Sequence, residues 1–200
     1  MTVYLQVAVE DELSAAVMQR LIMETGRDFS IYQIMNARGF GKLKSSMEKF
    51  KNASYAVPHV VLTDLDKYPC AIELLKDWDA TNLPPSLLLR IAVKEVEAWL
   101  LADRVGIASF LSVAKNKIPQ HPEAIADPKQ TLINLARKSR KSRLAEELTP
   151  EVGSSAPYGP FYNLRLSEFA MSDWDVDIAK TVAPSLDRAL SRLTSFMPTA

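Results

Sequence analysis

Cysteine is almost absent from this chain: Cys70 is the only one in 200 residues. An internal disulfide and any multi-cysteine zinc or iron–sulfur site are thereby excluded. Histidine is nearly as scarce, with only His59 and His121. A histidine-rich metal site is not expected, and the metal class left open is a hard cation held by carboxylates. No basic N-terminal stretch leads into a long apolar run, so no signal peptide is expected. No apolar segment approaches ~20 residues, so no membrane-spanning helix is expected either. Net charge is also lacking, with 24 Lys and Arg against 24 Asp and Glu. Overall attraction to nucleic acid or to an anionic membrane is not implied, and any such binding must come from a local patch. These absences lead us to expect a cytoplasmic globular protein.

Hydrophobic residues make up 48% of the chain, enough for a sizeable core at this length. The run TVYLQVAV (2–9) is β-branched and apolar on both faces, as a strand buried in a parallel sheet requires. Residues 11–25 then carry Leu13, Val17 and Leu21 at helical spacing, with Asp11 placed to cap the start and Gly26 to end it. Further strands are expected at 29–35, 57–64 and 86–93, and helices at 43–52, 70–78 and from 96. Strand and helix alternate to about residue 103, the pattern of a doubly wound α/β sheet. Beyond Gly106 no strand is expected. Helices are predicted at 107–114, 128–148, 160–171 and 185–196, separated by the Pro-, Ser- and Gly-rich connectors IPQHPEAIADP and VGSSAPYGP. The expected division is an α/β core over 1–105 and a helical elaboration over 106–200, packed on that core.

The informative feature is where the acids fall. Glu10 follows the first strand, Asp64 and Asp66 follow the third as TDLD, and Glu95 and Glu97 follow the fourth as KEVE. In a parallel sheet the C-terminal ends of the strands share one edge, and open α/β sheets bind ligands there. Acids scattered through the sequence would converge at that edge. An acid just after a strand commonly caps the next helix instead. Acids at three strand ends of four, one of them a DxD pair, favour a site. Like charges repel, and a divalent cation supplies a reason to gather them. Mg²⁺ takes hard oxygen ligands and keeps several waters, so two or three carboxylates suffice. Such ions support phosphodiester cleavage by activating water and stabilising the leaving oxygen.

Other residues carry weaker signals. The segment RKSRKSR (137–143) holds Arg137, Lys138, Arg140, Lys141 and Arg143, the best candidate for a nucleic-acid-contacting patch, with a solvated face on an exposed helix as the equal alternative. Arg38, Lys42 and Lys44 surround the turn ARGFGK, where Lys42 could add charge beside a phosphate, although a simple turn is the preferred reading. Lys94 is a further candidate to stabilise transition-state charge. Trp99, Phe161, Tyr162 and His59 read as core residues, and Cys70 as structural.

A strand ending in glutamate (VAVEDELS, Glu10) and a later apolar strand ending in DxD (VVLTDLD, Asp64 and Asp66) together resemble the Toprim pattern of topoisomerases, primases, recombination proteins and overcoming-lysogenization-defect nucleases. More of the chain resembles one uncharacterised bacterial Toprim-like family, a domain of unknown function. That resemblance runs through GFGKL (39–43), RIAVKEVEAWLLAD (90–103), IPQHPEAIADPK (118–129), GPFYNLRLSEF (159–169) and PSLDRALSRL (184–193). It implies a Rossmann-like, mainly parallel sheet of about four strands flanked by helices. It also implies Mg²⁺ (or Mn²⁺) held by Glu10, Asp64 and Asp66; the placement of the acids adds Glu97 to the expected metal ligands, with Glu95 or Glu97 completing a second metal site or acting as general base. The implied activity is nuclease-type cleavage of nucleic acid, DNA more than RNA, in phage defence beside a partner ATPase. A non-catalytic module that docks to an ATPase or to nucleic acid is the alternative. Many Toprim domains carry glycine after the motif glutamate, where this chain has Asp11.

Overall fold

A computed structural model describes residues 2–198. The elements in chain order are β1 (Val3–Val9), α1 (Glu12–Glu24), β2 (Phe29–Asn36), α2 (Phe40–Ser45), α3 (Met47–Ala53), β3 (His59–Asp64), α4 (Ala71–Asp77) and β4 (Leu87–Ala92). There follow α5 (Val96–Ala102), α6 (Arg104–Leu111), α7 (Pro128–Ala136), α8 (Ser142–Leu148), α9 (Tyr162–Ser172), α10 (Val176–Lys180) and α11 (Pro184–Thr194). The four strands form one sheet in the order β2-β1-β3-β4, and every neighbouring pair is parallel. The α/β, Rossmann-like architecture with a helical C-terminal half is therefore present.

Alternation along the strands explains the two layers. Leu5, Val7 and Val9 of β1, Val60 and Leu62 of β3, and Leu88 and Ala92 of β4 face one side. There they meet α1, α5, α9 and α11 in a large core that includes Trp99, Tyr162, Phe169 and Trp174. Ala8, Val61, Leu87 and Leu89 face the other side and meet Leu43, Met47, Phe50, Leu74 and Trp78 of the α2–α4 layer. Both faces of β1 and β3 are covered, which is why these strands read as continuous apolar runs. The larger core draws on both halves of the chain, from Leu5 to Phe196.

Asp11 caps α1 by accepting the Ser14 N–H at 2.8 Å, and Gly26 leaves the helix at φ 62°. The second half differs from expectation in two places. The helix predicted over 128–148 is two helices, α7 and α8, broken across residues 137–141. The short α10 was not predicted. It is only five residues long, started by an Asp175 cap on the Ile178 N–H at 2.9 Å, and one turn is too short to show periodicity. His59 is buried in β3 as predicted, with Nδ1 2.6 Å from the Val57 carbonyl. Cys70 stands exposed ahead of α4. Among the described residues no helix is long and apolar enough to cross a membrane.

Candidate active site at the acidic sheet edge

Strand order places the site. The chain leaves β1 toward β2 on one side and later returns to β3 on the other, so the direction of winding reverses between β1 and β3. A crevice forms at such a reversal, outside the strands' C-terminal ends. The residues that leave β1 and β3 there are Glu10 and Asp64. They touch: the Asp64 N–H donates to Glu10 Oε1 at 3.1 Å, and Thr63 Oγ1 donates to the same oxygen at 2.6 Å.

Asp64 in turn reaches the next segment. Its Oδ1 accepts the Val96 N–H at 3.0 Å, at the start of α5. That short helix carries Glu97 inward, where it is 1% exposed. Glu97 Oε1 accepts from the Tyr162 hydroxyl at 3.0 Å and stands 3.4 Å from the Lys129 ammonium. Glu97 Oε2 is buried without any partner. Glu95, two residues earlier at the start of α5, accepts the Lys129 backbone N–H at 2.9 Å. Lys129 therefore engages both acids of KEVE, one through its main chain and one through its side chain.

The electrostatics follow from this crowding. Desolvation raises Asp64 well above its ordinary value, and the neighbouring Glu97 and Glu10 carboxylates push it further. Burial likewise pushes Glu97 up to about 7, with Lys129 opposing and Glu95 adding. Glu10 and Glu95 are raised too, each chiefly by burial. Burial works against the Lys129 ammonium, yet Glu97, Glu95, Asp64 and Asp11 outweigh it and hold its pKa above the usual lysine value. The Tyr162 hydroxyl is held protonated by burial and by Glu97.

Not every predicted residue joins this group. Asp66 is exposed and adopts a left-handed backbone, φ 49°, so TDLD is not extended and the DxD pair does not present two inward carboxylates. The Asp66 charge is still felt by Glu10 and Glu95. Lys42 is exposed on α2, and among the described residues no hydrogen bond or ion pair joins its side chain to the acids. Lys94 has a left-handed backbone, φ 61°, and its carbonyl accepts the Asp66 N–H at 3.0 Å. Arg38, Asp66 and Lys94, three of the five non-glycine residues with positive φ among those described, all lie just past strands at this edge. Strain concentrated at one edge is typical of a functional site. The basic run is partly consumed internally. Arg140 Nε donates to the Ser112 carbonyl at 3.3 Å, Lys141 Nζ to Phe110 at 3.0 Å, and Arg143 pairs with Glu147 at 3.0 Å. Arg137 reaches Asn134 at 3.2 Å, and the Lys138 ammonium has no hydrogen-bond or ion-pair partner among the described residues.

Two site residues lay outside the sequence reading. Lys129 is the lysine of IPQHPEAIADPK, where Asp127 caps α7 and turns its first residues to the acids. Tyr162 was read as core, and it is fully buried, but its hydroxyl faces Glu97. Gly159 helps deliver it: a Cβ there would collide with the backbone of residues 147–149, so the chain crosses the end of α8 closely before α9 begins. An open cavity of about 550 Å³ adjoins Glu10 and Asp11, walled by Asn36, Arg38, Gly39 and Tyr158. The larger cavity, about 680 Å³, lies between α8 and the 149–161 loop and carries none of these acids, so size alone does not mark the site.

A divalent cation such as Mg²⁺ calls for hard oxygen donors. Among the described residues, no three His, Cys, Asp or Glu side chains converge as a ready-made metal cage. The acceptors at hand are all carboxylate oxygens, and one of them, Glu97 Oε2, is buried and unpartnered. These residues fit a hard cation whose remaining positions are filled by water and substrate phosphate, the usual manner for Mg²⁺. They do not fit a zinc or other soft-metal site. Comparison with protein-family models, with curated proteins and with solved structures finds no match.

Proposed function

We propose that the acidic edge is the active site of a Mg²⁺-dependent phosphoryl-transfer enzyme of Toprim type, cleaving phosphodiester bonds in nucleic acid. The observation that carries this reading is the buried, partnerless Glu97 Oε2, whose carboxylate bears on Asp64, itself in contact with Glu10 at the sheet's reversal point. Burying an acceptor without a donor is costly, and crowding carboxylates around it adds repulsion. A cation removes both costs. Asp64 and Glu97 would hold it, with Glu10, Asp66 and Glu95 in electrostatic reach and water and substrate phosphate in the other positions. Bound there, it would lower the pKa of an attacking water and neutralise charge on phosphoryl oxygens.

The remaining roles belong to the chain. Thr63 and the Asp64 N–H fix the rotamer of Glu10. Tyr162 and Lys129 fix Glu97 through one oxygen and leave the other free. Glu95, raised by burial and only partly covered, is the group suited to take a proton from water. The finer setting we infer is a cytoplasmic nuclease acting on DNA, in phage defence beside an ATPase, as the resemblance implies.

One observation favours a second reading. Lys129 already supplies positive charge to Glu97, so the edge could hold together without metal as a non-catalytic docking module. Purified chain incubated with plasmid, linear and single-stranded DNA, and with RNA, in Mg²⁺ or Mn²⁺, decides between them. Chelator-sensitive cleavage that Asp64→Asn lowers by two orders of magnitude or more supports the enzyme. Cleavage equal in wild type and Asp64→Asn, or none on any substrate, leaves the docking module.

A further inference from the structure

A second cluster of charge lies away from the acids, and its sign is opposite. Strand β4 is an outer strand of the sheet. Alternation sends Leu88, Arg90 and Ala92 to the same face, under the helical layer that includes α11. Leu88 and Ala92 join the core, and between them the pattern calls for an apolar residue where Arg90 stands. Helix α11 packs on β4, burying Leu186, Ala189, Leu190 and Leu193 and leaving Arg188 and Arg192, one turn apart, exposed. Arg90 is half-buried, and its Nε is shielded from solvent without a hydrogen-bond partner. Desolvation and the charges of Arg192 and Arg188 bring its pKa down to about 10.

No carboxylate answers these three among the described residues. Most other arginines are paired or bonded, among them Arg20 with Glu24, Arg143 and Arg165 with Glu147, Arg27 with the Thr194 carbonyl, and Arg104 with that of Ile118. Folding alone gives no reason to gather three guanidiniums, one of them desolvated, without an anion. We propose that Arg90, Arg188 and Arg192 form a binding site for a phosphate group, held by guanidinium forks from β4 and α11. Guanidinium suits phosphate because its planar donors match two oxygens at once.

The position bears on the source of the phosphate. Arg90 stands two residues before Ala92, whose ladder partner is Asp64. At a strand rise of about 3.3 Å per residue, that is about 7 Å before the acidic edge. A nucleic-acid chain crossing that edge is one source, and a free phosphate or mononucleotide is the other. The site does not rest on the nuclease reading, because binding needs neither metal nor cleavage.

The test uses the full chain, wild type and Arg188→Gln/Arg192→Gln, without divalent ions. Both changes are on exposed positions, so folding is retained. Thermal melts compare chloride with inorganic phosphate at equal ionic strength. Phosphate should raise the wild-type Tm by several degrees, and the double variant should lose most of that rise. In chloride the variant should be at least as stable as wild type, since repulsion is relieved. Anisotropy with a labelled single-stranded oligonucleotide, over a salt series, separates the sources. A nucleic-acid source lowers the variant's affinity about tenfold and flattens its log–log salt slope by about 1.4, at ~0.7 per contact. A small-phosphate source loses the Tm rise and leaves oligonucleotide binding unchanged. Equal phosphate shifts in wild type and variant, whatever the oligonucleotide does, overturn the site.

Discussion

The Lys129 ammonium lies 3.4 Å from Glu97 Oε1, and it is the only cation within ion-pair distance of the buried acids among the described residues. Lys129→Met keeps the aliphatic stem and removes the charge. Breaking a buried pair costs about 3–5 kcal/mol, and the partial exposure of Lys129 brings the expectation nearer 1–3. At this chain length that is a fall in Tm of roughly 2–12 °C. Millimolar Mg²⁺ should restore the variant more than it raises wild type. A variant that melts with wild type and ignores Mg²⁺ would show that Lys129 is not the counter-charge.

Glu97 also sets a pH dependence. Its carboxyl is pushed from an ordinary 4.5 up to about 7, chiefly by burial. The folded state therefore binds more protons than the unfolded state between those values. This contribution to stability is full below pH 4.5 and is lost as pH rises through about 7. Asp64, raised for the same reason, acts in the same direction. Glu97→Gln keeps the Tyr162 hydrogen bond and cannot ionise. Metal-free melts from pH 4.5 to 8 should show a wild-type Tm that falls by several degrees more than that of Glu97→Gln. Parallel curves would mean that Glu97 is not the group responsible.

Much of this was legible in the sequence because burial on two faces leaves a simple trace. The runs 2–9, 57–64 and 86–93 are mostly apolar, and each holds a strand with acids at its exit. Parallel topology then carries Glu10, Asp64 and Glu97 to one edge without any knowledge of contacts. What stayed hidden depends on long-range packing. Lys129 and Tyr162 meet Glu97 only because α7 and α9 fold back on α5, across separations that no local period records. Arg90 comes near Arg188 and Arg192 only because α11 packs on β4. The conformation of TDLD also depends on distant partners: the Leu65 and Asp66 N–H groups donate to the Ala92 and Lys94 carbonyls, and Asp66 takes left-handed backbone.

The basic run 137–143 should divide into two functional halves. Arg140 and Lys141 donate to the Ser112 and Phe110 carbonyls at the end of α6. Arg140→Ala/Lys141→Ala should lower Tm by a few degrees, since charged hydrogen bonds contribute about 1.5–3 kcal/mol and these are exposed. Arg137→Ala/Lys138→Ala should leave Tm unchanged. It should flatten the salt dependence of single-strand binding by about 0.7 per lost contact if this end touches phosphate. An unchanged slope for the second pair assigns the run to structure alone.

Asp64 and Asp66 separate a metal site from helix capping, and no substrate is needed. Asp64 accepts the Val96 N–H, a bond that the carbonyl oxygen of asparagine can keep. Asp66 is exposed with positive φ, a conformation asparagine tolerates. Neither Asp64→Asn nor Asp66→Asn should therefore destabilise the metal-free protein, and Asp64→Asn should stabilise it by removing repulsion from Glu97 and Glu10. Saturating Mg²⁺ binds the folded state and adds about 2.7 kcal/mol at a hundred times its Kd. The wild-type Tm should rise by roughly 5–10 °C on that scale. Asp64→Asn should lose most of the rise and Asp66→Asn a smaller part, because only Asp64 points into the cluster. Capping alone predicts that all three proteins melt in step at every Mg²⁺ concentration. A wild type that shows no shift up to millimolar Mg²⁺ or Mn²⁺ has no site in the free protein. The cation could then enter only with the substrate, because Glu97 Oε2 and two carboxylates would need phosphate oxygens to complete its coordination.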